Sequence, residues 1–341
     1  MNHEIDLSKY KIRTDLAIEM IGNQNIIENV EKYDDIKVSH IYIDEEKSKI
    51  INKKMGNYIT IEFNDITDYN NQEKVKKIFS VQLQKIIKKM NIKETDSALI
   101  IGLGNNKSTP DSLGPESINK LIITNHLYEL GNLEHGFRRV SALNPGVMGE
   151  TGIETSDIIK SIVDKTKPDF LIVVDALASS SIERVNRTIQ ITDTGIHPGS
   201  GIGNSRKEIS KEILNVPVIA IGIPTTVDAV TIVSDTIEYV TKHFTYTREN
   251  INNPINKLIV GGNSKYLKTN KRINKEDKKE LLGLIGSLNH EETRQLIYEV
   301  LTPIGYNFMV TPKEIDFLIL KLSEIIGNGI NSALHNNINN L

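Results

Sequence analysis

The chain has 341 residues, enough for one large or two modest domains, and carries 41 Lys plus Arg against 44 Asp plus Glu. That near balance supplies no basic field to draw nucleic acid or an anionic membrane, so neither is expected as a direct partner. Cysteine is absent, which removes disulfides, thiolate nucleophiles and cysteine metal sites and fits a cytoplasmic location.

The N-terminal stretch "MNHEIDLSKYKIRTDLAIEM" mixes charges throughout and lacks the apolar centre of a signal peptide. No later window approaches the roughly 20 apolar residues of a membrane span. The first 30 residues are polar and weakly patterned. "IKVSHIYI" (36–43) and "NYITIEF" (57–63) then alternate with many β-branched residues, as half-buried strands do. Residues 71–90 put Val75, Phe79, Leu83, Ile86 and Ile87 on one helical stripe.

From residue 98 the rhythm becomes strand, loop, helix. "ALIIGLG" (98–104), "RRVSAL" (138–143), "FLIVVDAL" (170–177) and "VPVIAIGIP" (216–224) are short, mostly apolar runs, the pattern of strands buried in a mostly parallel sheet. "TIQIT" (188–192) adds another, for roughly half a dozen strands in all. Helices are expected over 115–130, 156–169 and 225–244, with Pro115 opening the first and Ser156 capping the second. Further helical patterns at 275–288, 291–301 and 312–330 are expected to pack onto this α/β body. The fold class is α/β, a mixed and mostly parallel sheet flanked by helices, with additional N-terminal strands and C-terminal helices.

In open α/β sheets, ligands and catalytic groups gather beyond the carboxyl ends of the strands. The residues at those ends are Asp111 after the first apolar run, "LNPGVMGETG" after the second, Asp175 after "FLIVV", "DTGIHPGSGIGN" after "TIQIT", and Asp228 after "PVIAIG". Two strand-end carboxylates held close together share a proton, one accepting from water while the other donates, which suits metal-free amide hydrolysis. The bland counterpart is that such an Asp only caps a helix or shapes a turn.

Asp193-Thr194-Gly195 spells the tripeptide of pepsin-like proteases, but those have little helix, whereas this region alternates strands and helices. "HPGSGIGN" followed by Arg206 and Lys207 has the ingredients of a phosphate cradle without a Walker sequence. His197 has no clustered His or Cys partner in sequence. Ser179 to Ser181 follow no nucleophile-elbow pattern and read as a helix start.

Taken together, "GLGNNKSTPDSLGP", "SALNPGVMGETGIETSDII", "TKPDFLIVVDALASSSIERVNRTIQITDTGIHPGSGIGN" and "PVIAIGIPTTVDAVTI" closely resemble the germination protease family of spore-forming bacteria. The resemblance is dense over about residues 98–235 and extends to "IDLSKYKIRTDLAIE". It implies a phosphorylase/hydrolase-like fold akin to the peptidases that mature hydrogenases. It also implies a homotetrameric endopeptidase of the spore core, made as a zymogen, that degrades small acid-soluble spore proteins on germination. Its acidic pair falls on Asp111 and Asp175, which would titrate as a coupled pair.

The resemblance makes His197 the candidate for the place of a metal-binding histidine in the hydrogenase-maturing relatives. No metal or other cofactor is expected here, and Asp193 and His197 are expected to support the site or contact substrate. "TDLAIEM" (14–20) resembles the family's substrate pattern, which implies self-cleavage between Leu16 and Ala17. Residues 1–16 are then a propeptide and 17–341 a single peptidase domain, with its core at about 98–245 and a C-terminal helical part at about 270–335. The rivals are a metal-dependent peptidase of the hydrogenase-maturation type and a phosphate- or nucleoside-binding protein on the same fold.

Overall fold

A computed structural model describes residues 14–20, 27–198, 207–249, 275–301 and 308–337. Most of the expected propeptide and the glycine run at 199–204 therefore lie outside the described residues. In chain order the elements are α1 (Ala17–Met20), β1 (Ile27–Tyr33), β2 (Ile36–Ile43), α2 (Glu45–Ile51), β3 (Gly56–Glu62), α3 (Tyr69–Lys89) and β4 (Ala98–Gly102). Then come α4 (Leu113–Ile118), α5 (Asn125–Glu129), β5 (Val140–Leu143), α6 (Met148–Thr151), α7 (Thr155–Thr166), β6 (Phe170–Ser179), β7 (Thr188–Thr192) and α8 (Lys211–Leu214). The chain continues through β8 (Val218–Asp228), α9 (Ala229–Glu249), α10 (Lys275–Leu282), α11 (His290–Leu301), β9 (Met309–Val310) and α12 (Ile315–Leu334). Among the described residues no helix is long and apolar enough to cross a membrane.

Contacts divide the chain into two compact units, one of Arg13–Thr226 with Thr311–Leu341 and a smaller one that includes Val227–Val310. The strands run in the order β1-β2-β3-β7-β8-β6-β4-β5, with β9 paired to the tip of β8. The β4 strand lies parallel to both β5 and β6, while β1, β2, β3, β7 and β8 follow one another antiparallel. The sheet is thus mixed, and larger than the half-dozen strands expected.

Three differences from the sequence reading have local causes. The β1 strand, "IENVEKY", pairs only with β2 at the sheet edge, where polar side chains stay solvated and leave no apolar alternation to find. The β8 strand runs past Pro224 to Asp228 because Thr225, Thr226 and Val227 are β-branched and Val227 pairs with Val310. The helix expected over 115–130 divides into α4 and α5, since Thr124 between them bonds the Arg138 carbonyl and receives the Val140 N–H at 2.9 Å.

Alternation along each strand sorts the larger unit's core onto two faces. Ile59, Ile100, Ile172, Val174, Ile191 and Ile221 meet Phe79 and Leu83 of α3 and Ile326 and Ile330 of α12. Gly329 of α12 lies so close to the Phe79 ring that any side chain there would overlap it. On the opposite face Leu99, Ile101, Leu171, Val173 and Val218 pack with Ile159 and Val163 of α7. Each fully buried side chain of this kind contributes about 1.5–3 kcal/mol, so the strand directions and the end of the sheet at which each loop emerges are firmly set.

In the smaller unit Val230 of α9 packs with Ile297 and Tyr298 of α11. Asp228 caps α9, accepting from the Thr231 N–H at 2.8 Å and the Thr231 hydroxyl at 2.6 Å, and Arg294 donates to that hydroxyl at 2.7 Å.

Candidate active site

Asp175 continues the face of β6 that carries Leu171 and Val173, because side chains two apart share a side. It is only 5 % exposed, and the Ala176 N–H donates to its Oδ1 at 2.9 Å. Asp111 arrives from the loop after β4, at the end of a single 3-10 turn over Thr109–Asp111. The Asp111 N–H donates to the Ser108 carbonyl at 2.8 Å, and the Asn105 N–H donates to the Asp111 carbonyl at 3.0 Å.

Glycines let this loop lie flat. Gly104 has φ +119 and is covered by the Asp111 carbonyl. A side chain on Gly114 would meet Leu103 N and the Val174 carbonyl, both at 2.6 Å. Two hydrogen bonds complete the stitching: Leu103 N–H to the Val174 carbonyl at 2.8 Å, and Thr225 hydroxyl to the Pro110 carbonyl at 2.7 Å. The loop is therefore pinned to β4, β6 and β8 just past the end of β4, and Asp175 lies one residue beyond Val174, the partner of Gly102 at that end, although β6 itself runs on to Ser179.

The segment Thr14–Met20 docks on the same face as Asp175. The Asp15 N–H donates to the Ala178 carbonyl at 3.0 Å, and the Ala178 N–H donates to Asp15 Oδ2 at 2.9 Å. Lys53 Nζ donates to the Asp15 carbonyl at 3.0 Å. The Ala17 N–H donates to Gln190 Oε1 at 2.7 Å, and Leu16 and Ala17 are both 0 % exposed. Ala17 packs with Ile41, Ile43 and Tyr58.

Beneath this segment runs a row of small or polar positions fixed by register. Ser39 faces Thr60, Thr60 faces Gln190, and Gln190 faces Gly222. The Leu171 N–H to Pro217 carbonyl bond of 2.8 Å starts β8 beside the start of β6. The two strands are neighbours in the sheet, and the Leu177 side chain lies against Gly222. The bond between Leu16 and Ala17 thus lies by a row of small and polar positions that crosses β7 and β8 on the face that bears Asp175. Two strand spacings of about 4.8 Å separate β7 from β6, the strand that carries Asp175.

Gln190 was not among the residues singled out from the sequence, though a glutamine inside the otherwise β-branched "TIQIT" is the available signal. Lys53 and the Ser179–Ser180 turn gave none.

Asp193 and His197 lie elsewhere. The β7 strand runs antiparallel to β8, so Asp193 leaves it on the side of the start of β8, three residues past Gln190. Asp193 receives the Asn57 N–H at 2.8 Å and Asn57 Nδ2 at 2.5 Å, closing the corner between β3 and β7. Gly195, at φ +80, turns the chain against Ile209 and Ser210. His197 Nε2 sits 3.3 Å from Glu208 Oε2 with half its side chain exposed, and Glu208 also pairs with Lys54. Among the described residues no three His, Cys, Asp or Glu side chains gather in a metal-binding group.

A family model described as germination protease matches residues 8–341. The germination protease of Geobacillus sp. (strain WCH70) is 49% identical to this chain, covering 99% of it and 97% of that protein. Those of Bacillus cereus (strain AH187) and Bacillus anthracis are each 47% identical with the same coverage. Among solved structures, the [NiFe] hydrogenase maturation protease HycI from Thermococcus kodakarensis KOD1 matches with 19% identity and a TM-score of 0.28, covering 42% of this chain and 80% of that one. With near-complete coverage in both directions at almost half identity, the chain belongs to the germination protease family and is a protease.

Proposed function

We propose that this protease is an endopeptidase in which Asp111 and Asp175 together hold and activate the attacking water. The ionised carboxylate takes a proton from the water as its oxygen attacks the peptide carbonyl. The protonated partner donates to the carbonyl oxygen, and the tetrahedral adduct collapses as a proton passes to the leaving amine. The pinning of the Asp111 loop, through Gly114, against Val174, the residue before Asp175, supports this pairing. The placement of Asp193 against Asn57 and of His197 against Glu208 favours a bracing role for those two over direct work on substrate.

The chain is made as a zymogen that cuts itself between Leu16 and Ala17, and the matured enzyme acts on small acid-soluble spore proteins as a homotetramer in the spore core. The single observation that carries this reading is the docking of the chain's own Leu16–Ala17 bond on the face of the sheet that bears Asp175, with the amide N–H of that bond held by Gln190.

The test is intact-mass analysis of the full-length chain over time, together with digestion of a small acid-soluble spore protein by the trimmed chain. Both are run with and without chelator and repeated for Asp111→Asn and Asp175→Asn. Loss of residues 1–16, cleavage that survives chelation, and two inert yet folded variants are the expected outcome. Near-normal rates in either variant overturn the pairing, and abolition by chelator moves a metal peptidase with His197 as ligand ahead of it.

A further inference from the structure

Three hydroxyls around Gln190 are buried and idle. Ser39 and Thr60 are 0 % exposed and Thr188 is 1 % exposed, and among the described residues none of the three hydroxyls has a hydrogen-bond partner. Register gathers them on the face where the N-terminal segment docks. Thr60 faces both Ser39 and Gln190, while Thr188 stands two residues before Gln190 on β7 and faces Glu62. Threonine suits a strand, but valine has nearly the same shape and a similar strand preference. A buried hydroxyl without a partner carries a cost in free energy that valine does not.

The docked segment leaves them idle because it is coiled. The Ala17 N–H goes to Gln190 at 2.7 Å, but the Glu19 N–H turns back to the Leu16 carbonyl at 3.3 Å. The Glu19 side chain marks the direction in which the segment runs. Ser179 Oγ donates to its Oε1 at 2.5 Å, and the Ser180 N–H donates to its Oε2 at 2.7 Å. Arg184 lies 3.6 Å from Glu19 Oε1 and 3.2 Å from Glu62, the cross-strand neighbour of Thr188. From Ala17 to Glu19 the segment therefore passes from Gln190 toward Thr188. Two residues of helix rise only about 3 Å. Gln190 and Thr188, two strand residues apart, are separated by about 6.8 Å, which is also the spacing of alternate N–H groups in an extended chain.

We propose that this hydroxyl-lined face seats the main chain of an incoming polypeptide in extended form, with Gln190 accepting the N–H of the first residue after the cut and Thr188 accepting that of the third. The contact reads main chain and no side chain, so it serves any sequence. It rests on the reading of the Leu16–Ala17 bond as the one that is cut. In the uncut chain α1 fills the same place as a helical turn, and its third N–H is spent within the turn.

The experiment uses a peptide copying residues 8–26 and a twin in which an ester replaces the amide between the copies of Ile18 and Glu19, so that the third N–H is gone. Affinities are measured by fluorescence anisotropy for the trimmed chain carrying Asp175→Asn, which leaves the peptide whole, with and without Thr188→Val. The ester is expected to weaken binding about 5-fold when Thr188 is present and less than about twofold with Thr188→Val. In the full-length chain carrying Asp175→Asn, Thr188→Val is expected to leave the urea midpoint unchanged or higher, since no bond is lost. On a spore protein, the trimmed chain with Thr188→Val alone is expected to show KM raised about 5-fold and kcat within about twofold. An ester penalty that ignores Thr188→Val overturns the proposal, because the lost N–H then serves a bond inside the peptide, as in α1. A lowered urea midpoint also overturns it, by giving the hydroxyl a structural partner. Cleavage of the amide peptide by the trimmed wild-type chain keeps the two readings apart. Cutting between Leu and Ala with a penalty blind to residue 188 removes the seat and leaves the peptidase reading. A penalty that depends on Thr188, with no cut at that bond, removes the proposed cleavage and leaves the seat.

Discussion

Gly114→Ala tests whether the pinned loop, and with it the position of Asp111, is what makes the site work. A Cβ at residue 114 would sit 2.6 Å from Leu103 N and from the Val174 carbonyl oxygen. Both are main-chain atoms, joined to each other by the Leu103 N–H to Val174 carbonyl bond where β4 ends beside β6, so neither can swing aside. Relief requires the start of α4 to move outward by about 1 Å, and overpacking of this kind costs ~1–3 kcal/mol. Leu113, 0 % exposed beside it, resists that movement. Asp111 lies three residues upstream on the same pinned loop. A misplacement of about 1 Å in a catalytic group lowers rate about 100-fold. Urea unfolding and kcat/KM on a spore protein, both with the trimmed chain, read the two effects separately. Gly149→Ala is the control, since a Cβ there meets nothing within 4 Å. A Gly114→Ala enzyme with wild-type kcat/KM and unchanged stability would refute both the pinning argument and the role it gives Asp111.

The remaining predictions concern the docked segment and the far corner. Gln190→Leu keeps the volume of a buried side chain but removes the acceptor for the Ala17 N–H, so self-cleavage followed by intact mass is expected to slow about 10-fold; an unchanged rate removes Gln190 from the site. Asp193→Asn leaves one of the two Asn57 donors unmatched, which is expected to cost ~1–2 kcal/mol in urea unfolding while kcat/KM of the trimmed chain stays within about twofold; a large loss of kcat/KM without loss of stability restores it as a substrate contact. Burial pushes the Lys53 ammonium down from its ordinary value, although Asp15 and Glu19 pull it up. The folded chain therefore binds fewer protons than the unfolded one between that lowered value and about 10.4, and stability rises with pH across this window. The Tm difference between wild type and Lys53→Met is expected to shift in favour of wild type as pH climbs toward 10, and a pH-independent difference would contradict this.

Much of the frame was legible in the sequence because it rests on short-range pattern. The runs at 98–102 and 170–174 are apolar without interruption and 188–192 is mostly β-branched, the pattern of strands buried on both faces. Asp111 and Asp175 stood out because strand ends are where α/β sheets place their chemistry. The edge strand β1 was hidden by its solvated side chains. The row of small and polar positions was hidden for a different reason: each of Ser39, Thr60, Gln190 and Gly222 is unremarkable on its own strand, and only the register across four strands sets them side by side. The grip of Ser179 and Ser180 on Glu19 links positions about 160 residues apart. No local pattern encodes such a contact, so the serines were read as a helix start.

Presentation of the Leu16–Ala17 bond and blockage of the site are, on this reading, the work of the same contacts. Asp15 exchanges two hydrogen bonds with Ala178, Lys53 holds the Asp15 carbonyl, and Leu16 is wholly buried. All three anchors lie before the bond. Cutting it releases residues 14–16 with them, including about 2–3 kcal/mol of burial from Leu16 alone. What remains on the other side is a four-residue helix held by the Gln190 bond, by Glu19 in its serine turn and by the packing of Ala17. That fragment is too short to persist on helical propensity, and it has become a chain end free to leave. A single hydrolysis thus converts an intramolecular clamp into a weak competitor, which clears the face for an incoming chain without any rearrangement of the sheet beneath it.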